Sequence, residues 1–264
     1  MELLKKVNKI KKIGTFDLEK QLMIIAGPCA IENEEQMKTT AQYLVDHNVH
    51  FLRAYPDKPR TSPYSFQGLG SQSHAIIREI KEQYPLFIVA ELLNLEDLSF
   101  FNDYVDVIQI GARNMQNFAL LKCLGAIKKP IILKRGFGNT IEEWLMAAEY
   151  LLNFGNDQII LCERGIRTFE PLTRNTLDIS SIPIVKQITK LPIIADPSHA
   201  CGRSDLVKPL SMAAVAAGAD GLLIEVHPHP QMSLSDKDQA LSFSEFNSLL
   251  DDLKALAGLR GLTF

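Results

Sequence analysis

Several things are missing from this chain of 264 residues. No apolar run approaches the roughly 20 residues that span a bilayer, so no membrane helix is expected. The opening stretch MELLKKVNKIKK is basic but no apolar core follows it, so it is not expected to act as a secretory signal. The formal net charge is only −3, with a pI near 6.1, so nothing draws the whole molecule to nucleic acid. The four cysteines, Cys29, Cys123, Cys162 and Cys201, form no CxxC pair. A disulfide framework is therefore not expected, and a cytoplasmic protein with free thiols is. There is no G-x-G-x-x-G turn after the first strand candidate and no P-loop, which argues against a dinucleotide fold. Neither a linker nor a low-complexity segment divides the sequence.

What is present is a core and a rhythm. Apolar residues make up 46%, enough to exclude disorder. Eight short β-rich runs recur at 21–27, 49–54, 86–92, 106–112, 130–136, 158–164, 191–197 and 221–227. They are continuously apolar, as strands buried on both faces should be. Helical patterns lie between them. The clearest span 34–47 and 140–153, the latter opening on Thr140 with Glu143 at capping-box spacing. A third spans 206–218, with Pro209 read as lying near its start. The last, 242–258, is expected to end at Gly258. Eight strands alternating with helices predict an α/β fold, a single (β/α)₈ barrel over 21–264, about the usual size for that architecture. Residues 1–20 form an N-terminal extension that could be a hairpin closing the barrel bottom or a loose arm. An open doubly wound sheet is the alternative.

In such a barrel the chemistry sits where the strands end. Every run here ends in polar or special residues: Gly27-Pro28-Cys29, Arg53, Glu91, Gly111-Ala112-Arg113, Lys134-Arg135, Cys162-Glu163-Arg164, Asp196-Pro197-Ser198-His199, and Glu225 with His227. Any one could be an ordinary polar loop, but eight together mark a barrel-mouth active site. One group is cationic: Arg53, Lys58, Arg60, Arg113, Lys134 and Arg164. Converging cations repel one another unless a multiply anionic ligand neutralises them, which points to phosphates and carboxylates. A second group, Cys29, His199, Glu225 and an aspartate from SLSDKDQA (Asp236, with Asp238 as rival), offers mixed S, N and O ligands. That mixture suits a divalent Mn, Fe, Co or Zn ion better than Ca or Mg. Taken singly, Cys29 reads as a small buried hydrophobe and His199 as a loop histidine. The stretch RAYPDKPRTSPYSF holds its cations on a loop stiffened by prolines.

The motifs AGPCAIE, KPRTSPYSFQGLG, QIGARNMQNFALL, LKRGFGNTIEEWLMAAEYLL, ERGIRTFE, DPSHACGR and GADGLLIEVHP together resemble the 3-deoxy-D-arabino-heptulosonate 7-phosphate (DAHP) synthases, in the short type I form related to 3-deoxy-D-manno-octulosonate 8-phosphate synthase. The resemblance runs from about residue 21 to residue 246. It implies a transferase of the shikimate pathway that condenses phosphoenolpyruvate with erythrose 4-phosphate and releases phosphate. It implies that Arg113, Lys134 and Arg164 hold the phosphoenolpyruvate phosphate and that Arg53 and Lys58 sit by its carboxylate and reacting carbons. Arg60 and Thr61, with Ser62, would bind the aldose phosphate. Cys29, His199, Glu225 and Asp236 match the family's metal ligands, and Lys58 and Glu91 are candidates for proton handling. A cytoplasmic homotetramer is also implied.

Lys58-Pro59-Arg60-Thr61-Ser62 is the heptulosonate form of the loop, where the octulosonate enzymes typically read Lys-Ala-Asn-Arg-Ser-Ser. The sister activity, on arabinose 5-phosphate, and a non-catalytic phosphometabolite-binding barrel are the alternatives. Two departures stand out. Ala54-Tyr55-Pro56-Asp57 is bulkier and more acidic than the family's usual Gly-Gly-Ala-Phe, and Asp57 could reorient Lys58. Cys201 replaces the usual Thr and reads as a conservative small replacement; the alternative is that it lies close enough to Cys29 for a disulfide. His227 is a candidate neighbour of the metal ligands. Only about 20 residues precede the first barrel strand, too few for a ferredoxin-like or chorismate mutase domain. No built-in feedback site is therefore expected.

Overall fold

The computed structural model describes residues 1–60 and 62–264; Thr61 lies outside the described residues. Ten strands form: β1 (Lys12–Ile13), β2 (Phe16–Asp17), β3 (Met23–Gly27), β4 (Phe51–Arg53), β5 (Phe87–Glu91), β6 (Val107–Ile110), β7 (Ile131–Lys134), β8 (Ile159–Glu163), β9 (Ile193–Ala195) and β10 (Gly221–Glu225). The last eight pair in parallel and close into a barrel in chain order, with β10 returning to β3. The helices are α1 (Glu2–Lys6), α2 (Glu34–Asp46), α3 (His74–Gln83), α4 (Leu98–Tyr104), α5 (Phe118–Gly125), α6 (Ile141–Asn153), α7 (Ser181–Ile188), α8 (Pro197–Cys201), α9 (Ser204–Ala216) and α10 (Phe243–Leu259). Each barrel strand is followed by at least one of them. Among the described residues no helix is long and apolar enough to cross a membrane.

Strand periodicity sorts the side chains. Ile24, Leu52, Ile88, Ile108, Leu133 and Leu161 point outward and pack with the helices. Met23, Ile25, Phe51, Val89, Val107, Ile132, Ile160, Ile194 and Leu223 point inward and fill the barrel. Ile10, Ile13, Phe16 and Leu18, from the β1–β2 hairpin and its flanks, join this inner cluster from below. Phe16 meets Phe51 edge to face at 4.9 Å between ring centroids.

Capping follows the predicted logic at α6, where Thr140 and Glu143 form the reciprocal box, and at α10, where Ser242 and Glu245 do the same. Two boundaries differ from the sequence reading. α9 begins at Ser204, so Pro209 lies inside it rather than in its first turn. The carbonyl deprived of its donor belongs to exposed Asp205, where water can replace the lost bond. α10 continues through Gly258 to Leu259, and the left-handed residue after it is Gly261, with φ 72°.

Candidate active site

Two residues further along the inward-facing rows, the apolar filling gives way to chemistry. Phe51 leads to Arg53, Val89 to Glu91, Val107 to Gln109, Ile132 to Lys134, Ile194 to Asp196 and Leu223 to Glu225. Arg135, one residue out of phase with Lys134, instead bonds Glu163 and Asp178, each at 2.9 Å. Four of the six cations expected to repel one another pair with three carboxylates of the protein, a partial balance that the sequence reading overlooked, while Arg113 and Arg164 have no such partner among the described residues. Arg53 Nη2 lies 3.1 Å from Glu225 Oε1, Lys134 Nζ 2.6 Å from Asp196 Oδ2, and Lys58 Nζ 2.9 Å from Asp236 Oδ2. Arg60 Nη1 lies 3.2 Å from Asp236 Oδ1 and donates to Ser235 Oγ at 2.9 Å.

Cys29, His199, Glu225 and Asp236 each offer a ligand atom, and the four atoms lie within 4.8 Å of one another. Asp236, at φ 49°, is the aspartate in this group; Asp238 is exposed, and its backbone carbonyl accepts from Ser204. His199 Nδ1 meets both oxygens of Asp196, at 3.0 and 2.8 Å. That contact fixes the ring and leaves Nε2 facing Glu225 Oε1, 2.9 Å away. Asp196 also caps α8, accepting from His199 N at 3.0 Å. Burial and then the nearby Glu225 push the Cys29 thiol up to about 12. Burial would raise Glu225 too, but His199 and Arg53 more than offset it and hold the carboxylate well below its ordinary range. Glu225 Oε1 is fully buried, and although Arg53 and His199 are near, it has no hydrogen bond of proper geometry. A buried thiol, an anchored imidazole and an under-satisfied carboxylate fit a borderline divalent cation.

Two cavities open beside this group. The inner one, about 50 Å³, is bordered by Tyr55, Lys58, Glu91, Arg113, Lys134 and Arg164. The outer one, about 510 Å³, is bordered by Lys58, Arg60, Ser62 and Arg174 among others. Arg53 is completely buried, and its Nε and Nη1 have no hydrogen-bond partner. Unpaired buried donors of this kind await an acceptor. Arg164 donates to His199 O at 3.0 Å. Arg113, Arg164 and Arg167 surround the Phe137 ring, 5.3, 4.7 and 4.9 Å from its centroid. Glu91 accepts from Gln109 Nε2 at 3.0 Å, and Gln109 Oε1 accepts from Tyr55 OH at 2.5 Å. Ser62 is exposed on the outer rim, and Thr61, the other aldose-phosphate candidate, lies outside the described residues.

Sequence reasoning did not single out Asp196 as a site residue, and it missed Gln109, Phe137 and Arg174. Carrying the inward period two residues past Val107 and Ile194 would have found the first two. The Ala54–Asp57 departure also has a structural role. Tyr55 is buried under Arg53, whose guanidinium carbon lies 4.5 Å from its ring centroid. Pro56 O accepts from Leu69 and Gly70, which ties the loop down. Lys58 is directed by Asp236 rather than by Asp57. Cys201 donates to Pro197 O and Arg203 O, and it is not among the groups around Cys29; all four cysteines are free thiols. His227, expected only as a neighbour of the ligands, has its Nε2 3.5 Å from Glu32 Oε2.

The DAHP synthetase I family matches residues 9–258. A phospho-2-dehydro-3-deoxyheptonate aldolase of Thermotoga maritima is 54% identical over 239 residues, covering 90% of this chain and 71% of the relative. The crystal structure of the Thermotoga maritima DAHP synthase superposes with a TM-score of 0.92 at 51% identity, covering 96% of this chain and 74% of that one. A 2-dehydro-3-deoxyphosphooctonate aldolase of Geobacter sulfurreducens is more distant, 30% identical over 258 residues, covering 90% of this chain and 93% of the relative. The barrel agrees with these matches, and the chain belongs to the DAHP synthetase I family.

Proposed function

We propose that this chain is a DAHP synthase, condensing phosphoenolpyruvate, erythrose 4-phosphate and water to DAHP and inorganic phosphate. The observation that carries this reading is the arrangement of the mouth. An inner group of cations and an outer group of cations meet at one set of four candidate metal ligands. In this reading Arg113, Lys134 and Arg164 hold the phosphoenolpyruvate phosphate. Arg53 offers its two unpaired donors to the carboxylate. Arg60, with Ser62 and Thr61, binds the aldose phosphate. Cys29, His199, Glu225 and Asp236 would hold a divalent ion of the Mn, Fe, Co or Zn class. Bound there, such an ion would supply Lewis-acid polarisation of the aldehyde carbonyl.

The residues align C3 of phosphoenolpyruvate with C1 of the aldose, and the carbon–carbon bond forms between them. Burial would lower the Lys58 pKa, but the carboxylates of Glu225 and Asp236 outweigh it and keep the ammonium protonated. The aldehyde oxygen becomes a strongly basic alkoxide as the bond forms, and Lys58 Nζ gives it a proton. Water adds at C2, and Glu91, oriented by Gln109, accepts its proton. The tetrahedral centre then breaks its C–O bond to phosphate as the C2 hydroxyl becomes the ketone, its proton leaves with the phosphate, and the inner cations stabilise the departing anion. Transfer of the proton from Glu91 back to Lys58 through solvent resets the site. The same reading carries a cytoplasmic homotetramer, which light scattering on the purified protein tests. Parallel assays with erythrose 4-phosphate and arabinose 5-phosphate test the substrate. Turnover of the pentose alone overturns the assignment in favour of the octulosonate activity.

A further inference from the structure

Arg174 borders the outer cavity but carries none of the tasks assigned above. It sits in the loop between β8 and α7, and three contacts place it. Its backbone N–H donates to Cys201 O at 3.0 Å. Its stem packs against Gly202, the left-handed C-cap of α8, with φ 69°. A Cβ at Gly202 would come within 2.9 Å of Arg174 Cβ and 3.1 Å of its Nε. The side chain is thus seated on the end of the helix that carries His199. Finally, Arg174 Nη2 lies 3.4 Å from Asp236 Oδ1, the oxygen that Arg60 Nη1 contacts at 3.2 Å.

The two oxygens of Asp236 face different groups. Oδ2 meets Lys58 at 2.9 Å and Cys29 at 3.3 Å, on the side of the metal-ligand set. Oδ1 meets two guanidinium groups on the side of the outer cavity. One carboxylate oxygen shared by two arginines leaves positive charge and several N–H donors uncompensated. The Arg174 side chain is 40% exposed, so those donors can reach a ligand. A phosphate monoester, with its near-double negative charge and three acceptor oxygens, complements such a pair.

We propose that Arg174 is a second phosphate-binding arginine for the aldose substrate, acting with Arg60, and that Asp236 Oδ1 holds the pair in position. The proposal rests on the DAHP synthase reading. It is tested by steady-state kinetics of Arg174→Gln with each substrate varied in turn, alongside calorimetric titration with Mn²⁺. Loss of a charged hydrogen-bonding group is expected to raise the KM for erythrose 4-phosphate about tenfold or more. The KM for phosphoenolpyruvate and the Mn²⁺ affinity should stay within about twofold of the parent. Gly202→Ala should reproduce the selective effect by pushing on the Arg174 stem. An unchanged erythrose 4-phosphate KM overturns the proposal. So does an equal rise in both KM values, or a loss of Mn²⁺ affinity without a selective aldose effect, since each marks a structural role. If the glutamine variant does not fold, Arg174→Lys decides. A point charge cannot reproduce the guanidinium fork, so a selective rise supports the proposal and parental kinetics overturn it. A parent that uses arabinose 5-phosphate instead refutes the substrate assignment but not the role of Arg174. In that event the selective rise is read on the pentose phosphate.

Discussion

Asp196→Asn isolates the charge of one buried carboxylate. The substitution keeps the side-chain shape, and Asn caps a helix as well as Asp does, so α8 should lose little. What disappears is the counter-ion of Lys134. The two side chains are 5% and 0% exposed, with 2.6 Å between Nζ and Oδ2. Removing one partner of a buried pair strands the other, at a cost of about 3–5 kcal/mol. His199 loses something separate. Its Nδ1–H would donate to a neutral amide oxygen, and loss of such a supporting carboxylate lowers metal affinity about 10–100-fold. Urea unfolding reads the first effect, and calorimetric titration with Mn²⁺ reads the second. Adding Lys134→Met should recover most of the lost stability, because the stranded ammonium goes with it, but none of the metal affinity. A cost under about 1 kcal/mol, as for a solvent-exposed pair, together with unchanged metal binding, would refute the reasoning.

Three further outcomes are expected. Cys29→Ala should lose metal binding and turnover together, and a Co²⁺ titration should lack the thiolate charge-transfer absorption seen with the parent. Gly27→Ala forces a Cβ to 2.8 Å from Arg53 O and 2.9 Å from Arg53 Cγ at φ 145°. It should cost about 1–3 kcal/mol in urea and weaken phosphoenolpyruvate binding measured by calorimetry. Burial lowers the pKa of His50, which lies 5.5 Å from the Phe16 ring, below its ordinary value near 6.5. The unfolded chain therefore takes up more protons than the folded one. His50's contribution is fully present above about pH 6.5 and is lost as the pH falls through the depressed folded value. His50→Phe should flatten the dependence of the urea midpoint between about pH 7 and 5.

The barrel was readable in the sequence because strands buried on both faces leave unbroken apolar runs, and all eight were found. The polar residues that end those runs were readable for the same reason, since each breaks the pattern. Asp196 was read as the end of a run but given no site role, and Gln109 was harder, being a single polar residue still in step with the inward row. Arg174 was hidden for a different reason: its position depends on Gly202 and Asp236, which are distant in sequence. The electrostatic balance of the mouth was misjudged because cations can be counted along a chain, whereas their carboxylate partners arrive through folding. Pro209 and Gly258 were treated as boundary marks, but the helices containing them extend past the expected ends.

The packed floor beneath the mouth also changes how the mouth behaves. The inward rows fill the barrel, and Ile10, Ile13, Phe16 and Leu18 deepen that floor from below, so the mouth is a blind cup. Glu91, Gln109, Lys134 and Asp196 can be hydrated only from above. A ligand seated in the rim therefore acts as a stopper as well as a reactant. As it enters, it removes their water from the one side that has any, and every charge interaction below it strengthens.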